Sequence, residues 1–265
     1  WVALGPIHRI GMGYPACRTC ATVYDLGVEY WDEDPFLIAK QTTHFWRVQR
    51  WLAARLDKII CISESTRIDL LKALPYEAKR TEVIFPPLPG DPTAMTSRNE
   101  PAFVTLGGSP TKNLAVVLRA FGILHHANPA ISLVVCGDLT ASEEAAVSAS
   151  VGVRRESMDR YDHLLRTSQG LISFSRHEGL GLPALEAMQV GCPVILSDKI
   201  PIRKICPDAA RLVRDNDPLA LVRGMKEVLA ASALWVQRSF AGAQTYALLS
   251  QECGEKLLAL YRSVV

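Results

Sequence analysis

The chain has 265 residues, 49% of them hydrophobic, with 29 Lys and Arg against 27 Asp and Glu, for a net charge of +2. That apolar content supports one large or two modest cores, and the near-balance of charge excludes the global basic field of a nucleic-acid binder. Seven cysteines, an odd number set mostly in apolar stretches such as Cys61 and Cys136, argue against a disulfide framework and for a cytoplasmic setting, and no apolar run reaches transmembrane length.

The first elements in the chain are sparse. Cys17-x-x-Cys20 has no second pair to complete a metal site and reads as a chance pairing. Thr22-Val-Tyr-Asp25 reads as a strand ending in polar residues, and Asp32-Glu-Asp34 as an acidic loop. A helix is expected from about Thr43 to Leu56, with Phe45, Val48, Leu52 and Leu56 on one face. Its other face carries Arg47, Trp51 and Arg55, followed by Lys58, a stripe suited to anionic headgroups or, more simply, to solvent. Lys58-Ile-Ile-Cys-Ile62 is a buried strand; Ser63 caps a helix that stops before Pro75, and Thr81 to Phe85 is a further strand. The proline-rich run from Pro86 to Pro92 and the polar stretch to Pro101 form the best linker in the chain.

Beyond the linker, strand and helix alternate. Strands are expected at Ala102–Leu106, Ile131–Cys136, Gly170–Ser175 and Pro193–Leu196, and helices at Asn113–His125, Glu143–Ala149, Arg160–Thr167 and from Pro183. The tail is helical over Leu219–Ala231 and Ala243–Tyr261. Such alternation with runs of buried aliphatics specifies parallel, doubly wound sheets, which bind ligands at the carboxyl ends of their strands. The expected division is residues 1–88, a linker at 89–100, a second domain at 101–245, and a last helix at 246–265 that packs back on the first domain.

The most informative block is residues 175–192, SRHEGLGLPALEAMQVGC. Glu178 stands on the loop after a strand, and Glu186 one turn inside the following helix, with seven residues between them. The glycine turn and the helix N-terminus aim backbone N–H groups at one crevice, favouring an anion such as a diphosphate. Taken alone, the block fits equally an amphipathic βα unit with two surface glutamates. Lys112 ends a Gly107-Gly108 turn that resembles a P-loop but lacks its second glycine and hydroxyl residue. The triplets at Asp32–Asp34 and Asp215–Asp217 spell D-x-D, a pattern that can hold a divalent cation, yet neither directly follows a strand end. Histidines show no metal-ligand spacing, and no G-x-S-x-G elbow supports hydrolase chemistry.

With these residues in place, the chain resembles a group 1 glycosyltransferase of the GT-B fold, the family often called GT4, from about Thr22 to its end. The motifs are the E-x7-E block from Glu178 to Glu186, Lys112-Asn113 before Leu118-Arg-Ala-Phe121, and Ile60-Cys-Ile-Ser-Glu64. Ser197-Asp198, Pro207-Asp-Ala-Ala210 and Asp217-Pro218 follow in the family's order. The resemblance implies two Rossmann-like domains facing a cleft and a retaining, metal-independent transfer from a nucleotide diphosphate sugar, with mannose one candidate, to a glycan or lipid-linked acceptor. It implies no cofactor and no bound metal, a cytoplasmic enzyme of the EC 2.4 class, polysaccharide biosynthesis, and peripheral contact with the inner face of a membrane. Glu178 would face the donor sugar, Glu186 the ribose hydroxyls and Lys112 the diphosphate. Gly107, Gly108, His177 and the stretch Gly179, Leu180, Gly181 and Leu182 would line the donor site, and Val153 would approach the nucleobase. Asp25 matches the aspartate of a His-Asp pair whose histidine position holds Tyr24 here.

Three departures from the family stand out. Gly108, Ser109 and Thr111 occupy places where an arginine often stands, and the segment from Gly137 to Tyr161 is short. Only about 20 residues precede Tyr24, too few for the usual βα units. The first domain is therefore expected to be incomplete, and a non-catalytic nucleotide-sugar-binding fragment or partner subunit is the alternative.

Overall fold

The computed structural model describes residues 2–3, 20–25, 56–88 and 98–264. The expected helix ahead of Leu56, the basic stripe at Arg47, Trp51 and Arg55, the Asp32–Asp34 triplet, Cys17 and linker residues 89–97 lie outside that set. The chain forms two compact units: Trp1–Pro87 with Glu178–Leu180 and Leu248–Val265, and Leu88–His177 with Gly181–Ala247.

Unit one holds a sheet in the order β1 (Val2–Ala3), β2 (Cys20–Val23), β3 (Lys58–Cys61) and β4 (Thr81–Val83). β1 runs antiparallel to β2, and the other pairs are parallel. β3 alternates its faces as a strand must. Ile59 and Cys61 pack with Leu70 of α1 (Glu64–Ala73) and with Leu74 just past its end, whereas Ile60 packs with Ile84, Cys253 and Leu260 near the chain's end. Ser63 caps α1 by accepting the Thr66 N–H at 3.0 Å, and Pro75 closes it.

Unit two is a six-stranded, wholly parallel sheet built from β5 (Ala102–Leu106), β6 (Ser132–Cys136), β7 (Val153–Glu156), β8 (Gly170–Ser173), β9 (Val194–Ser197) and β10 (Arg211–Val213). The spatial order β10-β9-β8-β5-β6-β7 reverses direction between β5 and β8. Every residue of β8 and β9 is buried, as a central strand covered on both faces requires. The helices are α2 (Leu114–Ala127), α3 (Ala141–Ala149), α4 (Tyr161–Thr167), α5 (Leu182–Gln189) and α6 (Pro218–Ala230). Val117, Phe121 and Leu124 of α2 and Leu221, Met225 and Val228 of α6 meet Phe103, Leu133, Ile172 and Ile195 in one core. Asp217 heads α6 by accepting the Ala220 N–H at 2.8 Å, so the second D-x-D triplet serves a helix cap.

The sequence did not announce the two edge strands. β7 reads Val-Arg-Arg-Glu and β10 reads Arg-Leu-Val, polar enough to pass for loops because an edge strand has one flank open to water. The tail also differs: α7 runs unbroken from Ser232 to Val264. Among the described residues no helix is long and apolar enough to cross a membrane.

Candidate functional site

In unit two, the reversal of strand order opens a crevice at the carboxyl ends of β5 and β8, where a doubly wound sheet binds its ligand. Its walls include Thr105, Leu106, Lys112, Ser173, Ser175 and Pro183, and it is partly open to solvent. The Thr105 hydroxyl donates to the Ile172 carbonyl at 2.9 Å and ties the two strands across the floor.

Lys112 comes to the crevice through a tight turn. Gly108 adopts φ +93°, and a Cβ there would stand 2.6 Å from the Asp138 carbonyl, so only glycine fits. The single 3-10 turn Pro110–Lys112 follows, headed by Ser109, and Asn113 passes through a left-handed conformation (φ 57°) before α2. The Arg176 N–H donates to the Thr111 carbonyl at 2.8 Å, stitching this turn to the loop after β8.

The opposite wall is α5. Its first residue follows Gly181, which has φ +103° and leaves the helix start without a side-chain cap. Pro183 fits the first turn, where its missing N–H costs nothing. The helix N-terminus therefore offers backbone N–H groups and a partial positive charge beside Lys112. Glu186 stands one turn further on. Burial pushes its carboxyl above the ordinary carboxylate range, and the Lys112 charge pulls it back toward ionisation. Cation and helix terminus thus share one crevice, with the Glu186 carboxylate near enough to feel the Lys112 charge, an arrangement suited to a diphosphate beside a hydroxyl-bearing group.

Of the residues expected from sequence, unit two brings Lys112, Pro183 and Glu186 together, with Gly107, Gly181 and Leu182 in the adjoining turn and helix start. His177 is buried. Gly108 N–H donates to both carboxylate oxygens of Glu143, at 3.1 and 3.2 Å, so this amide is already partnered. Val153 requires a correction. It opens β7 at the amino end, paired with Leu133, and the residue that reaches the carboxyl edge beside Cys136 is Glu156. β7 was not expected from the sequence, so nothing there fixed which end of a strand Val153 would occupy.

Glu178, Gly179 and Leu180 belong to unit one, as do Tyr24 and Asp25, which follow β2. One neighbour of the glutamate block in unit two went unnoticed in the sequence: Arg176. Arg176 stands two residues before Glu178; its charge acts on Asp215, a carboxyl that burial raises above its ordinary value. Its place beside the glutamate block was the available signal. Among the described residues no group of three or more His, Cys, Asp or Glu is placed to hold a metal ion.

Residues 99–239 match the family model for glycosyl transferases group 1, more than half of the chain. The chain belongs to that family. No curated protein matches the sequence. Among solved structures, a mutant of S. aureus TarM in complex with fondaparinux, α-GlcNAc-glycerol and UDP superposes with a TM-score of 0.75 at 15% identity, over 92% of this chain and 50% of that one. Sucrose-phosphate synthase from Thermosynechococcus elongatus gives 0.73 at 18% identity, over 92% and 67%. Anabaena HepE in complex with UDP and glucose gives 0.67 at 16%, over 83% and 69%. At these identities the likeness is one of fold, the α/β GT-B type with parallel sheets. This group 1 chain spans about half the length of TarM.

Proposed function

We propose that the chain carries the donor site of a retaining glycosyltransferase of the GT4 kind, which moves a sugar from a nucleoside diphosphate sugar to a glycan or lipid-linked acceptor. The observation that carries this reading is that Lys112 and the α5 N-terminus share one crevice at the strand-order reversal, with the Glu186 carboxylate within reach of the Lys112 charge. Glycosyl transfer leaves negative charge on the departing diphosphate and positive charge on the sugar. Lys112 and the α5 amides stabilise the leaving group where its charge develops. Glu186 accepts hydrogen bonds from the ribose hydroxyls. Glu178, three residues before Gly181 and so within about 10 Å of it along the chain, holds the donor sugar's hydroxyls and favours its oxocarbenium-like state. The UDP complexes of TarM and HepE support a nucleoside diphosphate as the ligand class and make UDP the first probe. Mannose is kept as a candidate sugar, and the site of action as the cytoplasmic face of a membrane, because a lipid-linked acceptor would be met there.

Calorimetric titration of the chain with UDP and GDP, with and without EDTA, tests the reading. Binding of one nucleotide is expected, unaffected by EDTA, and weakened about ten- to a hundredfold in Lys112→Ala and Glu186→Ala by loss of a charge-assisted hydrogen bond. Failure of the wild-type chain to bind either nucleotide would sink it.

A further inference from the structure

The stretch Glu178–Leu180 is held inside unit one by two buried hydroxyls. Ser63 and Thr66 are only 2% and 1% exposed. Ser63 Oγ accepts the Thr66 N–H and donates its own hydrogen to the Gly179 carbonyl. Thr66 Oγ1 lies 3.2 Å from that carbonyl and 3.2 Å from the carbonyl of Tyr24. Capping α1 needs only the lone pair of Ser63. The donated Ser63 proton and the Thr66 hydroxyl therefore do something beyond capping: they grip a carbonyl one residue past Glu178. The backbone is drawn so close that a Cβ on Gly179 would stand 1.9 Å from the Tyr24 oxygen. Glycine permits that approach but brings the greatest backbone freedom of any residue, and the two hydroxyls take the freedom away.

We propose that Ser63 and Thr66 are positioning residues for Glu178: by holding the Gly179 carbonyl they set the direction in which the Glu178 carboxylate meets the donor sugar. The inference rests on the role given to Glu178 above and adds residues which that reading did not contain. Neither hydroxyl touches the sugar; they act through the Gly179 peptide. Their loss lowers affinity for the sugar moiety and leaves nucleotide binding, which belongs to Lys112 and Glu186, in place.

Thr66→Val is the test, because it keeps the shape and leaves the Ser63 cap intact; Thr66→Ser is the rescue. Calorimetry with UDP, UDP-glucose, GDP and GDP-mannose should show nucleotide affinity within about twofold of wild type. The added affinity for the sugar should fall about tenfold in Thr66→Val, the worth of one buried hydrogen bond, and similarly in Glu178→Ala, and should return in Thr66→Ser. Equal losses for nucleotide and nucleotide sugar, or no loss for either, overturn the positioning role. Amide exchange of the unliganded chain separates the two layers of the argument. Gly179 to Gly181 should exchange about tenfold faster in Thr66→Val, and unchanged exchange overturns the latch even with nucleotide binding intact. A wild-type chain that binds no nucleotide removes the donor reading, and the positioning role falls with it whatever the exchange shows.

Discussion

Arg98 offers the sharpest test of how unit two is held together. It enters from the linker and donates through Nη1 to the carbonyls of Leu165 and Ser168 at 2.8 and 2.9 Å, and through Nη2 to that of Val190 at 3.1 Å. These carbonyls lie at the C-terminal ends of α4 and α5, where a helix leaves its last acceptors unpaired and carries partial negative charge. Each charge-assisted bond is worth roughly 1.5–3 kcal/mol. Three would total about 5–9 kcal/mol, but the side chain is only part-buried and water can replace some of what is lost. Recovered guanidinium hydration offsets more. The expected cost of Arg98→Met is therefore about 2–4 kcal/mol, a large share of the roughly 5–15 kcal/mol that stabilises a domain. Urea unfolding followed by far-UV circular dichroism should show a midpoint lowered by about 1–2 M at an unchanged slope. Arg98→Lys, with one point of donation in place of a fork, should recover less than half. A loss under about 0.5 kcal/mol, as for an ordinary surface change, would refute the account.

Two further outcomes follow from the crevice itself. Gly181→Ala puts a Cβ 2.7 Å from Ile200 Cγ2 on a backbone at φ +103°. The combined strain and overpacking should cost about 2–4 kcal/mol in urea unfolding and weaken nucleotide binding by tilting the start of α5; a neutral substitution would show that the turn is not built as described. Glu186 binds its proton more tightly in the folded chain than its ordinary value of 4.5 allows. The folded state therefore holds the proton after the unfolded state has released it, so this residue's stabilising contribution is complete below that value and declines as pH rises above it. Unfolding of wild type and Glu186→Gln between about pH 4 and pH 7.5 should show the variant gaining relative stability with pH, and a constant difference would contradict the cause assigned to the shift.

The legible part of this chain was the part where local chemistry and burial agree. Ser63 ahead of a helix, the aliphatic runs at Phe103, Leu133 and Ile172, and Pro183 opening α5 each carry their own signal, and each stands in the structure as that signal says. The illegible part was made by partners distant in sequence. Arg98 looked like linker because nothing near it reveals the carbonyls of Leu165, Ser168 and Val190. Glu143 looked like a helix-start acid, which it is, since it completes a capping box with Thr140; its second engagement, with Gly108, depends on β5 and β6 lying side by side.

The same reasoning explains why the sheet edge of Lys112 was readable from sequence and that of Val153 was not. Lys112 lies in the turn after β5 and Glu186 in the helix after β8, both strands that an aliphatic run makes obvious, so the direction of the chain, and hence the edge it reaches, is known without coordinates. Val153 opens a strand whose Arg154, Arg155 and Glu156 hide it. In a parallel sheet every strand points the same way, so a residue before a strand and a residue after it lie at opposite edges, and only the second faces the ligand. Identifying β7 therefore moves the candidate for this strand from Val153 to Glu156, which lies beside Cys136. A Glu156→Gln variant that alters the preference between UDP and GDP while Val153→Ala leaves it unchanged would establish that edge as the nucleobase side; the reverse pattern would place the base outside the crevice and break the argument from strand direction.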